Sequence, residues 1–228
     1  MQHNSRWHVL DSADQVALAA YHQILEAAEQ AIKARGSFKL VLAGGGTPEK
    51  VYRLLVKSDA DWANWFVYYG DERCLPVDHA DRNSLMATRV FLQNVAIPTA
   101  HIFTMPAELG PELAAEEYKQ IVAASLPFDM VLLGMGEDGH TASLFPGHVH
   151  LEDDLAHAVY NSPKPPPERV SMSAKALSDT HQLIFLITGI NKQDAVNEWR
   201  SGKDLPIATI NPKNPIDIYI DKDAYNSL

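Results

Sequence analysis

The sequence predicts an α/β fold with a mainly parallel sheet, arranged as a single domain, and three observations predict it. Short apolar runs such as Asp129–Leu133 (DMVLL) are hydrophobic on both faces, as strands covered on each side by helices are. These runs alternate with longer segments whose apolar residues recur at helical spacing. Several runs end in glycines and charged residues, the place where open parallel sheets put ligands. The alternation continues without repeats or low-complexity tracts, so residues 1–228 read as one domain.

Taken in order, Asp11–Arg35 is the first helix, capped by Asp11 or Ser12. Ala17, Ala20, Ile24, Ala28, Ala31 and Ile32 form its apolar stripe, and Gly36 stops it. Phe38–Leu42 is a strand, followed by Ala43-Gly44-Gly45-Gly46-Thr47-Pro48 and a helix over Pro48–Lys57 with Thr47 as its cap. Trp65–Tyr69 is an aromatic strand ending in Gly70-Asp71-Glu72-Arg73. Asn83–Leu92 is a helix, His101–Phe103 a short strand, and Pro111–Leu126 a helix begun by its proline. After the Asp129–Leu133 strand, Thr141–Phe145 begins a short helix that Pro146-Gly147 stops. Asn161–Pro167 (NSPKPPP) is a stiff loop, Arg169–Ser173 and Gln182–Thr188 are strands, Gln193–Trp199 is a helix, and Ile216–Ile220 is the last strand.

Composition narrows the function. A chain of 228 residues with 46% hydrophobic and 21% charged content is ordinary for a globular protein with a substantial core. No apolar run approaches a membrane span, and Met1–Leu10 lacks the apolar segment of a signal peptide. The single cysteine, Cys74, excludes an internal disulfide and fits a reducing cytoplasm. A formal charge of −10 argues against general nucleic-acid or anionic-membrane binding, so an anionic ligand requires cations gathered locally.

Two loops carry the chemistry. Gly134, Gly136 and Gly139 let the backbone after Leu133 turn tightly, and Glu137, Asp138 and His140 stand among and after them. The Gly134-x-Gly136-x-x-Gly139 spacing spells a dinucleotide fingerprint, but no long helix or later acidic strand end follows it. A plain glycine turn would leave the two carboxylates and the histidine unexplained. The Gly44–Thr47 loop joins a strand to a helix N-terminus, where free N–H groups and the helix dipole favour an anion such as phosphate. Lys192 opens a helix just past another strand, a second place for an anion or else a solvated charge.

In sequence order, AGGGTP (Ala43–Pro48), DERCLP with DRNS (Asp71–Pro76, Asp81–Ser84), GMGEDGHTASLFPGH (Gly134–His148), RVSMS (Arg169–Ser173) and GINK (Gly189–Lys192) resemble the bacterial 6-phosphogluconolactonase family over nearly the whole chain. The resemblance implies a three-layer α/β fold shared with glucosamine-6-phosphate deaminase, ribose-5-phosphate isomerase and CoA transferases. It implies hydrolysis of 6-phosphoglucono-δ-lactone in the pentose phosphate pathway, with a phosphorylated sugar lactone as ligand and no cofactor. It also implies that Arg169 and Lys192 join Gly44, Gly45, Gly46 and Thr47 in holding phosphate. Two departures stand out: Gly46 replaces a serine common in relatives, and Arg82-Asn83-Ser84 replaces a common Ser-Asn-Tyr.

Lactone hydrolysis needs an activated water, a stabilised oxyanion and a proton for the departing ring oxygen. Histidine best exchanges protons near neutral pH, which makes His140 the general base, with Arg73 stabilising developing negative charge or holding substrate oxygens. Asp138 and Asp71 orient His140 or the substrate hydroxyls. The histidines at 148, 150 and 157 match no zinc spacing and read as solvated, so no metal is expected. The rivals are a deaminase or isomerase on the same fold and a non-catalytic sugar-phosphate sensor. The resembling deaminases continue the Asp-Gly-His core with Asn-Glu, absent from Thr141–Pro146, and the helix starting near residue 11 leaves no room for a DNA-binding segment. The expected assembly is a monomer or small homo-oligomer.

Overall fold

The computed structural model describes residues 4–151 and 153–225. The chain opens with a strand that periodicity did not expose, β1 (Ser5–Leu10), and enters α1 (Ala13–Arg35) through Ser12, whose hydroxyl accepts the Gln15 N–H. Of the two predicted caps, Ser12 is therefore the one used, and such a cap contributes about 1 kcal/mol. Gly36 ends α1 in the left-handed region at φ 78°. β2 (Phe38–Leu42) and β3 (Trp65–Tyr69) match their predicted bounds and flank α2 (Gly46–Leu55).

Helix α2 starts two residues before Pro48, and Gly45, not Thr47, is its cap. Thr47 instead exchanges a 2.6 Å hydrogen bond with the Thr188 hydroxyl, which explains the mistaken cap. After β4 (Asp71–Arg73) comes α3 (Asn83–Val90), shorter than predicted because the chain tightens into a 3₁₀ turn over Leu92–Asn94. The expected strand at His101–Phe103 is a 3₁₀ turn and one bridge between Ile102 and Val67. Then follow α4 (Pro111–Ser125), β5 (Phe128–Gly134), β6 (Ala156–Val159), β7 (Arg169–Met172), α5 (Ala174–Ser178), β8 (Thr180–Ile187), α6 (Gln193–Arg200), β9 (Ile216–Asp221) and α7 (Lys222–Tyr225). The short helix expected at Thr141–Phe145 does not form. Ala142 takes φ 48° and Thr141 bridges Leu144, so the segment is a tight turn.

Six strands make one wholly parallel sheet in the order β1-β9-β8-β5-β2-β3. Helices α1 and α2 lie on each other and across β5 and β8. A second, antiparallel sheet has the order β4-β7-β6, with α4 against β6 and β7. Arg169–Ser173 was expected as one more strand of the alternation; it belongs to this smaller sheet. Both sheets share one core, in which Leu40, Val131, Ile184 and Ile218 join Val170 and Met172. Gly70 is the junction. Its N–H donates to Leu42 O at 3.0 Å in the large sheet, and its carbonyl accepts from Met172 N at 2.8 Å in the small one.

Strand order decides where a ligand can enter. From β2 the chain moves outward to β3, then returns to the other side of β2 as β5 and continues to β8 and β9. The reversal lies between β2 and β5, and parallel sheets bind ligands outside the carboxyl ends of strands at such a reversal. Among the described residues no helix is long and apolar enough to cross a membrane.

Candidate active site

A cavity of about 410 Å³ opens at that reversal. Its wall includes Gly44 and Gly45 after β2, Asp71 and Arg73 on β4, and Glu137 and His140 after β5, with Lys164, Arg169 and Lys192 also contributing. The lining thus holds four permanent cations (Arg73, Lys164, Arg169, Lys192) against two carboxylates (Asp71, Glu137), in a chain of net charge −10. Cations are gathered where an anionic ligand needs them.

His140 is held by its neighbours. Asp138 Oδ1 accepts the ring Nδ1–H at 2.5 Å and the backbone N–H of His140 at 3.2 Å. A carboxylate on Nδ1 places the proton there, and Nε2 makes no hydrogen bond among the described residues. The ring lies 4.6 Å from that of Phe145. Burial lowers the imidazole's pKa below its usual value, and the hydrogen bond and charge of Asp138 oppose that without cancelling it. Burial pushes the Asp138 carboxyl up, but the hydrogen bonds and charge of His140 together with local backbone N–H groups more than offset it and hold the carboxyl below its ordinary value. His140 is therefore neutral near neutral pH and able to accept a proton.

Two glycines in these loops are set by what touches them. A Cβ on Gly136 would lie 2.0 Å from His140 Nδ1, and one on Gly44 would lie 2.0 Å from Asn83 Oδ1. Gly44 thus admits Asn83, whose Nδ2 donates to Asp71 O and Asp71 Oδ1, both at 3.0 Å. The other Asp71 oxygen accepts from Ser143 Oγ at 2.6 Å. Asp71 faces the cavity but makes no hydrogen bond to His140, so of the two carboxylates expected to orient His140 or the substrate hydroxyls only Asp138 contacts the imidazole.

Buried Glu72, next to Asp71, closes the free end of α3. It accepts the backbone N–H groups of Asn83 and Ser84 at 2.8 Å and that of Arg73 at 2.8 Å. Arg73 donates from Nη1 to Asp81 O at 2.5 Å, while its buried Nε has no partner. Arg169 is almost wholly buried. It donates to the carbonyls of Lys164, Pro165 and Pro166 at 3.0–3.2 Å, stands 3.9 Å from Asp71 and lies over the Phe145 ring. It therefore holds the proline-rich loop against the cavity. Lys192 is half-buried, and its ammonium has no hydrogen bond or ion pair among the described residues; burial lowers its pKa.

Residues 11–219 match the family described as glucosamine-6-phosphate isomerases/6-phosphogluconolactonase. The chain belongs to that family. A probable 6-phosphogluconolactonase 1 of Arabidopsis thaliana is 32% identical over 96% of this chain and 92% of its own length. A probable chloroplastic 6-phosphogluconolactonase 4 of Oryza sativa is 34% identical over 86% of this chain, which spans 66% of that relative's length. The crystal structure of the Thermotoga maritima 6-phosphogluconolactonase superposes with a TM-score of 0.89 at 26% identity, covering 96% of this chain and all of that one. A monomeric glucosamine-6-phosphate deaminase, 21% identical with a TM-score of 0.83, shares the fold.

In this member of the isomerase/lactonase family, the cavity gathers His140, Asp71, Arg73, Gly44, Gly45, Arg169 and Lys192, with Asp138 directly behind His140. Gly46 and Thr47 lie outside its wall, since α2 already begins at Gly46. Sequence reasoning missed Lys164, Asn83 and Ser143 as site residues, and it singled out Glu137 without giving it a role. A lone lysine inside the otherwise apolar SPKPPP loop was the available signal for the first. The histidines are not all solvated as expected. His157 is 3% exposed, its Nε2 lies 3.2 Å from His150 Nδ1, and burial drives its pKa down to about 4. His150 Nε2 donates to Phe145 O at 3.1 Å. Among the described residues no group of three or more His, Cys, Asp or Glu side chains could hold a metal ion.

Proposed function

We propose that this protein hydrolyses 6-phosphoglucono-1,5-lactone to 6-phosphogluconate, the lactone hydrolysis of the pentose phosphate pathway. The observation that carries the proposal is the Asp138–His140 pair beside a cation-rich cavity at the strand-order reversal. His140 Nε2 takes a proton from water as its oxygen bonds to the lactone carbonyl carbon, giving a tetrahedral oxyanion. Asp138 holds the proton on Nδ1 and stabilises the imidazolium that forms. Arg73 faces the developing negative charge. As the carbon–oxygen ring bond breaks, the imidazolium returns its proton to the departing oxygen, so one water is added overall. Asp71, fixed by Asn83 and Ser143, is placed to accept hydrogen bonds from sugar hydroxyls.

Lys192 and the cavity side of the Gly44–Gly45 loop hold the phosphate, and Arg169 fixes the proline-rich loop that brings Lys164 to the same wall. Thr141–Pro146 brings no carboxylate to the cavity for the ring opening that the rival deaminase reading requires. Relatives include chloroplastic proteins, and a cytoplasmic location for this one is supported only by its single cysteine. The test is a coupled assay on freshly generated 6-phosphogluconolactone, corrected for spontaneous hydrolysis, beside an ammonia assay on glucosamine 6-phosphate. Lactonase turnover without ammonia is expected. Ammonia release with no lactonase activity above background overturns the proposal.

A further inference from the structure

We infer that Glu137 is a built-in competitor of the substrate's phosphate: in the empty cavity its carboxylate occupies Lys164, and an incoming phosphate takes that lysine from it. The inference rests on the lactonase reading above. Glu137 stands on the cavity wall in the loop after β5. One of its oxygens accepts from Asn191 Nδ2 at 2.6 Å, the other from Lys164 Nζ at 3.3 Å. These partners come from different places, Lys164 from the proline-rich loop and Asn191 from the turn that carries Lys192. A single carboxylate therefore links Lys164 to the turn that carries Lys192, the other lysine on the cavity wall.

The two bonds are unequal. The one to Asn191 is short, whereas the one to Lys164 exceeds the 2.7–2.9 Å typical of an ammonium on a carboxylate. Both partners of the longer bond are about half exposed, with side-chain exposures of 44% and 50%, and such pairs are weak in water. A phosphate dianion offers the ammonium more charge than a carboxylate does, and Lys192 stands unpaired beside the same cavity. The exchange needs only the flexible lysine stem to turn. The backbone beneath it is fixed, because Arg169 donates to the carbonyls of Lys164, Pro165 and Pro166. With Glu137 in place, every phosphorylated ligand must first displace an anion, which limits how tightly the phosphorylated product is held.

The experiment compares binding of 6-phosphogluconate and of gluconate by calorimetry to the wild type, E137Q, K164A and the double variant, with thermal melting to establish folding. Both ligands carry the sugar carboxylate, so their affinity ratio isolates the phosphate. E137Q should bind 6-phosphogluconate roughly threefold to tenfold more tightly, the scale of an exposed ion pair and one like charge removed. Gluconate binding should change less, and the gain should vanish when Lys164 is absent. Unchanged or weaker 6-phosphogluconate binding by folded E137Q overturns the inference. An equal gain for gluconate, or a gain that survives in the K164A background, overturns it too, since the effect would then be a general field. Failure of the wild type both to bind 6-phosphogluconate and to hydrolyse its lactone would remove the lactonase reading itself, and this inference with it.

Discussion

Asp138→Asn tests the proposed chemistry most directly, because it keeps the shape of the side chain and removes its charge. Asp138 Oδ1 lies 2.5 Å from His140 Nδ1, and the carboxylate can only accept there. An amide can turn its NH₂ toward the ring instead, which leaves the ring proton on Nε2 and no lone pair for the water. Loss of a correctly oriented base lowers turnover by roughly 10²–10⁴-fold, or about 3–5 kcal/mol at 1.36 kcal/mol per tenfold. The pH dependence has a definite sign. Burial already lowers the His140 pKa, and Asp138 is what raises it back in part. Without that charge the pKa falls further, so the acid limb of the pH–rate profile should move to lower pH while the plateau drops.

The assay is turnover of 6-phosphogluconolactone from pH 5 to 8 by the wild type, D138N, H140A and the double variant. Asp138 acts through His140, so the double variant should be no slower than H140A alone. An acid limb that moves upward, near-native turnover in D138N, or a loss that multiplies in the double variant would each refute the pairing.

Gly136→Ala should lose most turnover while melting within a few degrees of the wild type, because the three atoms nearest the added Cβ belong to the His140 ring and the Asp138 carboxylate, with Nδ1 at 2.0 Å; activity and melting on one preparation check this. Lys192→Ala should raise KM for the phosphorylated lactone by roughly 10–100-fold, the scale of one charge-assisted hydrogen bond, with little effect on unphosphorylated gluconolactone. Arg169→Ala should impair both lactones, since its donors hold the Lys164–Pro166 carbonyls and it stands beside Asp71; KM and kcat on the two substrates separate these cases. His157 has its pKa depressed to about 4 in the fold, so the unfolded chain binds its proton first. Stability should be full above the ordinary histidine pKa near 6.5 and fall by roughly 1–3 kcal/mol as pH drops from there toward 4. Urea titrations at pH 7.5 and 4.5 on the wild type and His157→Leu should show a smaller pH difference in the variant.

β2, β3, β5, β7, β8 and β9 were located to within a residue or two, and most of them are largely buried with a near-continuous apolar run in the sequence. Other elements leave a weaker mark. β1 is a sheet edge with mixed exposure, and β4 has only three residues, all charged. Asp71-Glu72-Arg73 reads as a polar loop because its pairing with Arg169–Ser171 is non-local and its buried charges are satisfied by distant groups. The cap of α2 was misplaced for a similar reason: Thr47 has the right chemistry for a cap, but its hydroxyl is taken by Thr188, more than a hundred residues away. Within the candidate site, residues next to a glycine or a strand end were legible. Lys164, Asn83 and Ser143 were not, and Glu137 was visible without its role, since these roles come from contacts across the chain.

The same contrast bears on how the site divides its work. His140 and Asp138 come from a single loop, so the geometry of the proposed base is local and should survive displacement of other segments. The cations come from several places: Arg73 and Arg169 from the antiparallel sheet, Lys164 from the proline-rich loop, and Lys192 from the turn after β8. Arg169 ties the proline-rich loop to the small sheet, and Glu137 ties that loop and the Lys192 turn back to the loop that carries the base. The proposed phosphate site therefore lies where segments converge, and phosphate binding should report whether they are correctly assembled. Proton transfer needs only one loop placed at the end of β5. Variants that loosen the assembly should lose affinity for phosphorylated ligands before they lose the shape of the pH–rate profile, whereas changes at Gly136 or Asp138 should do the reverse.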